Sequence, residues 1–183
     1  MQVYEPREDT FLLADQISKF ASGRVLEVGT GSGYLALIAA ETADEVVACD
    51  INPKAIKHAE KKAKEKKKNI CFIKSDLFSN IKGKFDLIIF NPPYLPDEKK
   101  CPDIALDGGP EGWELIERFL LQAKNYLTEN GKMLLLFSSL SKKDKIEEIL
   151  KKENYDYKEI AKKSFFGERL YVYLIKKKWA LIW

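Results

Sequence analysis

The stretch RVLEVGTGSGYLALIAAETADEVVACD, residues 24–50, decides the fold. It opens with an apolar run, Arg24–Val28, that ends in glycines at alternate positions. A helical pattern then leads to a second apolar run, Glu45–Cys49. A short apolar run bounded by glycine predicts a buried strand, and glycines directly after it predict a tight turn into a helix. The stretch therefore predicts a strand–loop–helix–strand unit, the building block of a parallel sheet.

The rest of the chain continues this alternation. Pro53 begins a second predicted helix, at the first-turn position where proline is tolerated. Continuous apolar runs predict a sheet covered on both faces. The further predicted strands are residues 70–73, 85–90, 133–137, 155–160 and 169–175, and the further helices are about 112–126 and 142–152. We predict one α/β domain over residues 1–183: a doubly wound, mostly parallel, Rossmann-like seven-stranded sheet with a C-terminal antiparallel hairpin, preceded by a helical lead-in over 1–22.

Composition narrows the possible functions. The 183 residues carry 31 basic and 28 acidic side chains, and a net charge of +3 is too small to argue for nucleic acid. Cys49, Cys71 and Cys101 show no C-x-x-C spacing, so we expect no metal site, and Cys49 and Cys71 are expected to be small buried residues. Neither a leader-like start nor an apolar stretch near 20 residues is visible, which predicts a cytoplasmic protein without a membrane contact.

The glycine loop is typical of a nucleoside ligand but not of a dinucleotide. A dinucleotide fingerprint that begins at Gly29 needs glycine at position 34, which is Tyr34; the pattern is instead acid-x-G-x-G-x-G from Glu27. Asp50 ends the second strand, where an acid can bind ribose hydroxyls. Glu27 disfavours a pyrophosphate and suits the ammonium and sulfonium groups of S-adenosylmethionine (AdoMet). We therefore predict AdoMet as the cofactor.

A second acid, Asp76, follows the third predicted strand. It is placed to accept a hydrogen bond from the adenine amine, and Leu77 is placed to pack on the adenine ring. The alternative is that Asp76 only starts a turn.

The motif Asn91-Pro92-Pro93-Tyr94 comes directly after the strand FDLIIF. It therefore lies at the carboxyl end of a strand, which is where open α/β sheets bind ligands. The prolines fix the backbone and leave the Asn91 side-chain oxygen and the Pro92 carbonyl as acceptors. Two fixed acceptors match the two N–H groups of a planar –NH₂, and Tyr94 supplies an aromatic wall. The motif predicts an N-methyltransferase that works mainly by positioning.

Four stretches of the chain together resemble the HemK family of protein-glutamine methyltransferases, in its archaeal and eukaryotic branch that methylates class I release factors. They are VYEPREDTFLL (3–13), LEVGTGSGYLAL (26–37), FDLIIFNPPYLP (85–96) and ALDGGPEGWEL (105–115). The glycine loop and the NPPY motif occur in other amine methyltransferases, whereas the first and last stretches are more specific.

The resemblance implies the class I AdoMet-dependent methyltransferase fold and methylation of the glutamine amide in the release factor's Gly-Gly-Gln motif. It implies a substrate-gripping set from Asn91 to Tyr94 and a substrate mouth shaped by Asp107-Gly108-Gly109, which is otherwise a simple turn before a helix. The implied cofactor site is Thr10, Glu27, Gly29, Thr30, Gly31, Gly33, Asp50, Ile51, Asp76, Leu77 and Asn91.

The family also suggests partners. Eukaryotic relatives use a small zinc-binding activator subunit that pairs with an exposed sheet edge, and the strand near residues 70–73 is a candidate for such an edge. Bacterial members carry a helical N-terminal domain, which is not expected here because only 26 residues precede Glu27.

Other functions remain open at this point. An amine in RNA or DNA also suits the NPPY motif, and the lysine-rich residues 61–68 are either an RNA-binding patch or a solvated helix face. Nucleic acid is nevertheless not the expected partner. The remaining alternatives are methylation of a lysine on another protein and a non-catalytic AdoMet-binding subunit.

Overall fold

The computed structural model describes residues 3–96 and 108–178, so Cys101 and Asp107 lie outside the described part of the chain. Helices and strands alternate as the sequence predicts. The helices are α1 (Glu8–Phe20), α2 (Tyr34–Ala39), α3 (Pro53–Glu65), α4 (Glu114–Ala123) and α5 (Lys143–Lys152). The strands are β1 (Arg24–Val28), β2 (Glu45–Asp50), β3 (Cys71–Lys74), β4 (Phe85–Phe90), β5 (Leu127–Ser138), β6 (Tyr155–Phe165) and β7 (Glu168–Lys177).

The strands form one sheet in the order β3-β2-β1-β4-β5-β7-β6. The strands from β3 to β5 in this order pair in parallel, whereas β7 runs antiparallel to both β5 and β6. The predicted α/β class, the parallel sheet and the C-terminal antiparallel hairpin are therefore confirmed.

Helices cover both faces of the sheet. In β4, Leu87 and Ile89 belong to one apolar cluster, with residues of α1 and α2, while Ile88 and Phe90 belong to the other, with residues of α4 and α5. All four side chains are at most 1% exposed. Successive side chains of a strand point to opposite faces, so a strand that is apolar at consecutive positions must be covered twice.

Two helix starts follow from local chemistry. Asn52 caps α3, since its side-chain oxygen accepts the N–H of Lys54, and Pro53 occupies the first turn as predicted. The sequence from Ser32 to about Thr42 has a helical pattern, but α2 begins only at Tyr34. Gly33 has a φ of +79°, which a right-handed helix does not allow.

Strand β5 begins six residues before the predicted Met133. The ladder pairs Phe85 with Leu127 and then Leu87 with Lys132, so extra residues of β5 bulge out between these pairs. The polar residues of this bulge gave no strand pattern in the sequence, which explains the late predicted start.

The prediction for the cysteines is half right. Cys49 is fully buried in the core, but Cys71 is exposed because β3 is an edge strand. Among the described residues, no helix combines the length and the apolar character needed to cross a bilayer.

The strand register brings the carboxyl ends of three neighbouring strands to one level. Val28 of β1 lies opposite Cys49 of β2 on one side and opposite Phe90 of β4 on the other. The residues that follow, namely the glycine loop, Asp50 and Asn91, therefore emerge side by side at the carboxyl-terminal end of the parallel strands.

Candidate functional site

The glycine loop after β1 takes a backbone path that requires glycine. Gly29, Gly31 and Gly33 have φ angles of 68°, 51° and 79°. At Gly33 an added Cβ would also lie 2.8 Å from the Cβ of Ala59 in α3, so this glycine allows the loop to pack closely on a neighbouring helix. The loop offers backbone rather than side chains to any ligand at this end of the strands.

Asp50 ties the glycine loop to the end of β2. Its Oδ2 accepts the N–H of Gly31 at 2.9 Å, and its Oδ1 accepts the N–H of Asn52 at 2.8 Å. Burial raises the pKa of Asp50 above its ordinary value, while these backbone hydrogen bonds act in the opposite direction. An ionised carboxylate offers about four lone-pair positions, so these two hydrogen bonds leave acceptor capacity for a ligand hydroxyl.

Glu27 is more deeply buried than a ligand-facing acid, with 2% of its surface exposed. Its Oε2 accepts the Thr30 hydroxyl at 2.5 Å and the N–H of Ala36 at 3.0 Å. Burial raises its pKa from 4.5 to about 8. In the structure Glu27 therefore braces the glycine loop and the start of α2, and its predicted contact with the cofactor stays a prediction.

The residues predicted to surround adenine have different environments. Ile51 is 48% exposed at the end of β2, an unusual position for a large apolar side chain. Asp76 is also exposed and forms a 2.9 Å ion pair with Arg118 of α4. Leu77 is only 6% exposed and packs in the core, with a φ of +46°. These residues lie at the carboxyl ends of β2 and β3, at the same end of the sheet as the glycine loop.

Asn91 holds the most informative atom of the site. Its Nδ2 donates to Oδ2 of Asp9 at 2.9 Å, whereas its Oδ1 is buried and has no hydrogen-bond partner among residues 3–96 and 108–178. Gly29 lies close by, since a Cβ added there would be 3.5 Å from the ring of Phe90. A buried acceptor without a donor is unfavourable, and it points to a donor supplied by a ligand.

Asp9 was not predicted as a site residue, although it lies within the YEPREDT stretch. It is 3% exposed and accepts hydrogen bonds from both sides of the site. Tyr4 donates to it at 2.9 Å, and the Tyr94 hydroxyl lies 3.4 Å from its Oδ2. Asp9 and Asn91 are 82 residues apart in the chain, so no local pattern connects them.

Thr10, predicted to contact the cofactor, is used largely within α1. Its hydroxyl donates to Asp9 at 3.3 Å and accepts the N–H of Arg7, the residue before the helix, at 3.4 Å. Ahead of the helix, the carbonyl of Tyr4 lies 3.5 Å from the Cβ position of Gly31, so this segment crosses the glycine loop.

A glycine turn supports the NPPY motif from behind. A Cβ added to Gly108 would lie 2.7 Å from the carbonyl oxygen of Pro93, and one added to Gly112 would lie 2.6 Å from that of Tyr94. Ser141 donates to the same Tyr94 carbonyl at 2.7 Å. The described part of the ALDGGPEGWEL stretch therefore fixes the backbone of the motif, and its Asp107 lies outside the described residues.

The sheet order, the glycine loop after β1, the acid at the end of β2 and the NPPY motif after β4 define a class I methyltransferase. A model of the family described as "Methyltransferase small domain" matches residues 8–167.

Comparison with known proteins narrows the class. A putative protein N5-glutamine methyltransferase of Methanocaldococcus jannaschii is 44% identical over 146 residues, which cover 76% of this chain and 74% of the relative. Mouse methyltransferase HEMK2 is 34% identical over 166 residues, covering 81% and 76%. The chain spans only 55% of the release factor glutamine methyltransferase of Lactococcus lactis, to which it is 35% identical.

Among solved structures, the Mtq2–Trm112 complex of E. cuniculi, described as responsible for methylating the translation termination factor eRF1, superposes with a TM-score of 0.80. It is 26% identical and covers 97% of this chain and 100% of the matched chain. The chain therefore belongs to the methyltransferase small-domain family, and within it to the HemK-type protein-glutamine methyltransferases.

The raised pKa of Glu27 predicts a pH-dependent stability. The folded chain holds this proton up to about pH 8, while the unfolded chain releases it near 4.5, so the free energy of unfolding falls as pH rises between these values. Glu27→Gln keeps an acceptor for Thr30 and removes the titration. In denaturant unfolding from pH 5.5 to 8, the free energy of unfolding of the variant is expected to rise relative to that of the wild type, by on the order of 1 kcal/mol per pH unit. Parallel curves for the two proteins would contradict this.

The close contact behind the NPPY motif predicts the effect of Gly112→Ala. The new methyl group would meet the Tyr94 carbonyl, so we expect a loss of about 1–3 kcal/mol in the free energy of unfolding beyond that of the control. The control is Gly167→Ala. Gly167 has nearly the same φ, 79° against 83°, but, its two chain neighbours aside, no atom of the other described residues lies within 4 Å of its Cβ position. Equal losses in urea unfolding of the two variants would show that the contact is unimportant.

Proposed function

We propose that this chain methylates the side-chain amide nitrogen of a glutamine, using AdoMet as methyl donor, and that the glutamine belongs to the Gly-Gly-Gln motif of a class I release factor. The observation that carries the proposal is the buried Oδ1 of Asn91, which has no partner in the described part of the chain. It is an acceptor held at the carboxyl end of β4, where open α/β sheets bind ligands, and a primary amide supplies the N–H donor that it needs.

The residues at the carboxyl-terminal end of the parallel strands fit AdoMet. The glycine loop, whose Thr30 and Ser32 side chains are buried, lets the amino acid part approach the backbone, and Asp50 has lone pairs for the two ribose hydroxyls. The exposed Ile51 offers an apolar surface to an adenine ring, which would explain why so large a side chain is open to solvent. We propose Thr10, Glu27, Gly29, Thr30, Gly31, Gly33, Asp50, Ile51, Asp76, Leu77 and Asn91 as the residues that line this cofactor site.

The chemistry is a direct methyl transfer. AdoMet, when bound, supplies a methyl group activated by its positive sulfur. Asn91 holds the substrate –NH₂ through its Oδ1, with Pro92 and Pro93 fixing the backbone and Tyr94 closing one side. The amide nitrogen forms the N–C bond as the sulfur–methyl bond breaks, the electron pair of that bond remains on sulfur, and one N–H proton passes to water. The site contributes mainly position and electrostatic support.

The relatives support the choice of substrate. The names of the archaeal and bacterial relatives specify glutamine, and the complex from E. cuniculi is described as acting on a termination factor. One relative, from Francisella tularensis, is named for a glutamine of ribosomal protein uL3 and is 35% identical over 125 residues. A release factor and a ribosomal protein both work at the ribosome, so we propose that the reaction takes place in the cytoplasm.

The lysine-rich helix end gives little support to an RNA substrate. Lys61 pairs with Glu65, Lys62 with Glu5, and Lys68 with Glu41, at 2.9–3.9 Å. Because three of the six lysines of this segment are paired with acids, the segment fits a solvated helix face better than an open cationic patch.

The first test of the proposal is methyl transfer. Purified chain with labelled AdoMet is expected to methylate the release factor of its own organism, and not the same factor with Gln→Ala in the Gly-Gly-Gln motif. Asn91→Ala should bind AdoMet within a few-fold of wild type but lose about 10²-fold in kcat, because an acceptor that positions the amide is gone. Label that remains after Gln→Ala, or appears only on uL3 or on RNA, would rule out the release-factor substrate.

A small partner subunit is the second part of the proposal. Strand β3 is one edge of the sheet, with Cys71 exposed and Phe72 and Ile73 half-buried. Such an edge can accept a strand from another chain, and we propose that a small zinc-binding subunit, comparable to the second chain named in the E. cuniculi complex, binds there.

The partner proposal predicts a difference between the two edges. Cys71→Lys introduces a charge on β3, and Asp156→Lys, the control, replaces an acid by a lysine on the opposite edge strand β6. Co-expression with the organism's small zinc-binding subunit followed by gel filtration should show a complex with the wild type and the control. It should be lost, or at least tenfold weaker, with Cys71→Lys. A complex with all three proteins would exclude β3 as the binding edge.

A further inference from the structure

We infer that Asp9 is a positioning residue for the methyl transfer, because it fixes which atom of the Asn91 amide faces the substrate. The inference rests on the proposed function and extends it to a residue on a different part of the chain. Asp9 lies in the first turn of α1, and its carboxylate is the hydrogen-bond partner of the Asn91 Nδ2 at 2.9 Å.

The orientation of an asparagine amide is normally free to reverse. Reversal would turn Nδ2 outward, and a donor facing a substrate –NH₂ cannot bind it. An ionised carboxylate only accepts hydrogen bonds, so it holds the nitrogen of Asn91 and rejects its oxygen. The consequence is that Oδ1 must face away from Asp9, in agreement with its lack of any partner within the described part of the chain.

The neighbours of Asp9 keep it in this role. Tyr4, Thr10, Asn91 and Tyr94 all donate to its carboxylate. Burial and the nearby Asp9 raise the pKa of both Tyr4 and Tyr94, so their hydroxyls remain protonated donors. These donors satisfy a carboxylate that is 3% exposed and hold it in one orientation.

Asp9 also has an electrostatic effect on the reaction. A negative group at the N–H side of an amide repels the electrons of the amide toward the amide oxygen, which makes that oxygen a stronger acceptor. The substrate nitrogen becomes more positive as it forms the bond to the methyl group, so a stronger acceptor favours the transition state over the bound substrate. Loss of Asp9 is therefore expected to lower kcat more than it raises KM.

The deciding experiment exchanges the two side chains. Asp9→Asn can let Asn91 reverse, and Asn91→Asp places two carboxylates at hydrogen-bonding distance, so each is expected to lower kcat by about 10²-fold. In the double variant, which combines Asp9→Asn with Asn91→Asp, the amide introduced on α1 donates to the carboxylate introduced in the NPPY motif, and an oxygen again faces the substrate. It should recover at least tenfold over either single variant. Asp15→Asn, which changes another acid of the same helix, is the control and should match the wild type.

Each outcome has one meaning. A double variant as slow as the two single effects multiplied together, or an Asp9→Asn enzyme with wild-type kcat, overturns the role of Asp9. A wild type that methylates no glutamine instead overturns the proposed function.

A second readout does not depend on turnover. In NMR spectra, the Asn91 side-chain –NH₂ should show one strongly shifted proton that exchanges slowly with water, and Asp9→Ala should abolish both properties while Asp15→Asn keeps them. A protected Asn91 signal in folded Asp9→Ala also overturns the inference.

Discussion

The side-chain oxygen of Asn91, buried and without a partner among the described residues, is the constraint around which the site is arranged. A buried acceptor without a donor costs about 1–3 kcal/mol, and a side-chain amide would ordinarily turn to avoid it. Asp9 prevents that turn by binding the nitrogen of the same amide. In the proposed reaction, a substrate amide would supply the donor that this acceptor lacks, and its binding would remove that cost.

The fold supplies this arrangement by bringing distant segments to the carboxyl-terminal end of the parallel strands. The register of β1 with β2 and β4 places the glycine loop between Asp50 and Asn91. Helix α1 then covers the same end and delivers Asp9, while the Gly108 turn holds the NPPY backbone from the other side. Each of these segments is fixed by contacts with its neighbours, so the positions of the reacting groups follow from the packing of the described chain.

The sequence predicted what local patterns encode. Apolar runs, the glycine spacing and Pro53 identified the parallel sheet and its loops, since strand burial and turn geometry follow from neighbouring residues. It did not reveal the bulge in β5, the exposure of Cys71 or the role of Asp9. Edge position and bulges depend on the pairing of distant strands, and the bond from Asp9 to Asn91 spans 82 residues. For Asp9, the only signal was its place in a stretch shared with the family.

The same geometry bears on which nitrogen the site accepts. A lysine ammonium has no lone pair until it loses a proton, and the acid that contacts Asn91 is poorly placed to take one, because its lone-pair positions are already used by four donors. Glu27, another deeply buried acid at this end of the strands, is 2% exposed and bound to its own loop. A carboxamide nitrogen is uncharged at neutral pH and needs only to be held and turned out of conjugation. Fixed acceptors, with the neighbouring acids of the described chain already engaged, therefore favour an amide over an amine.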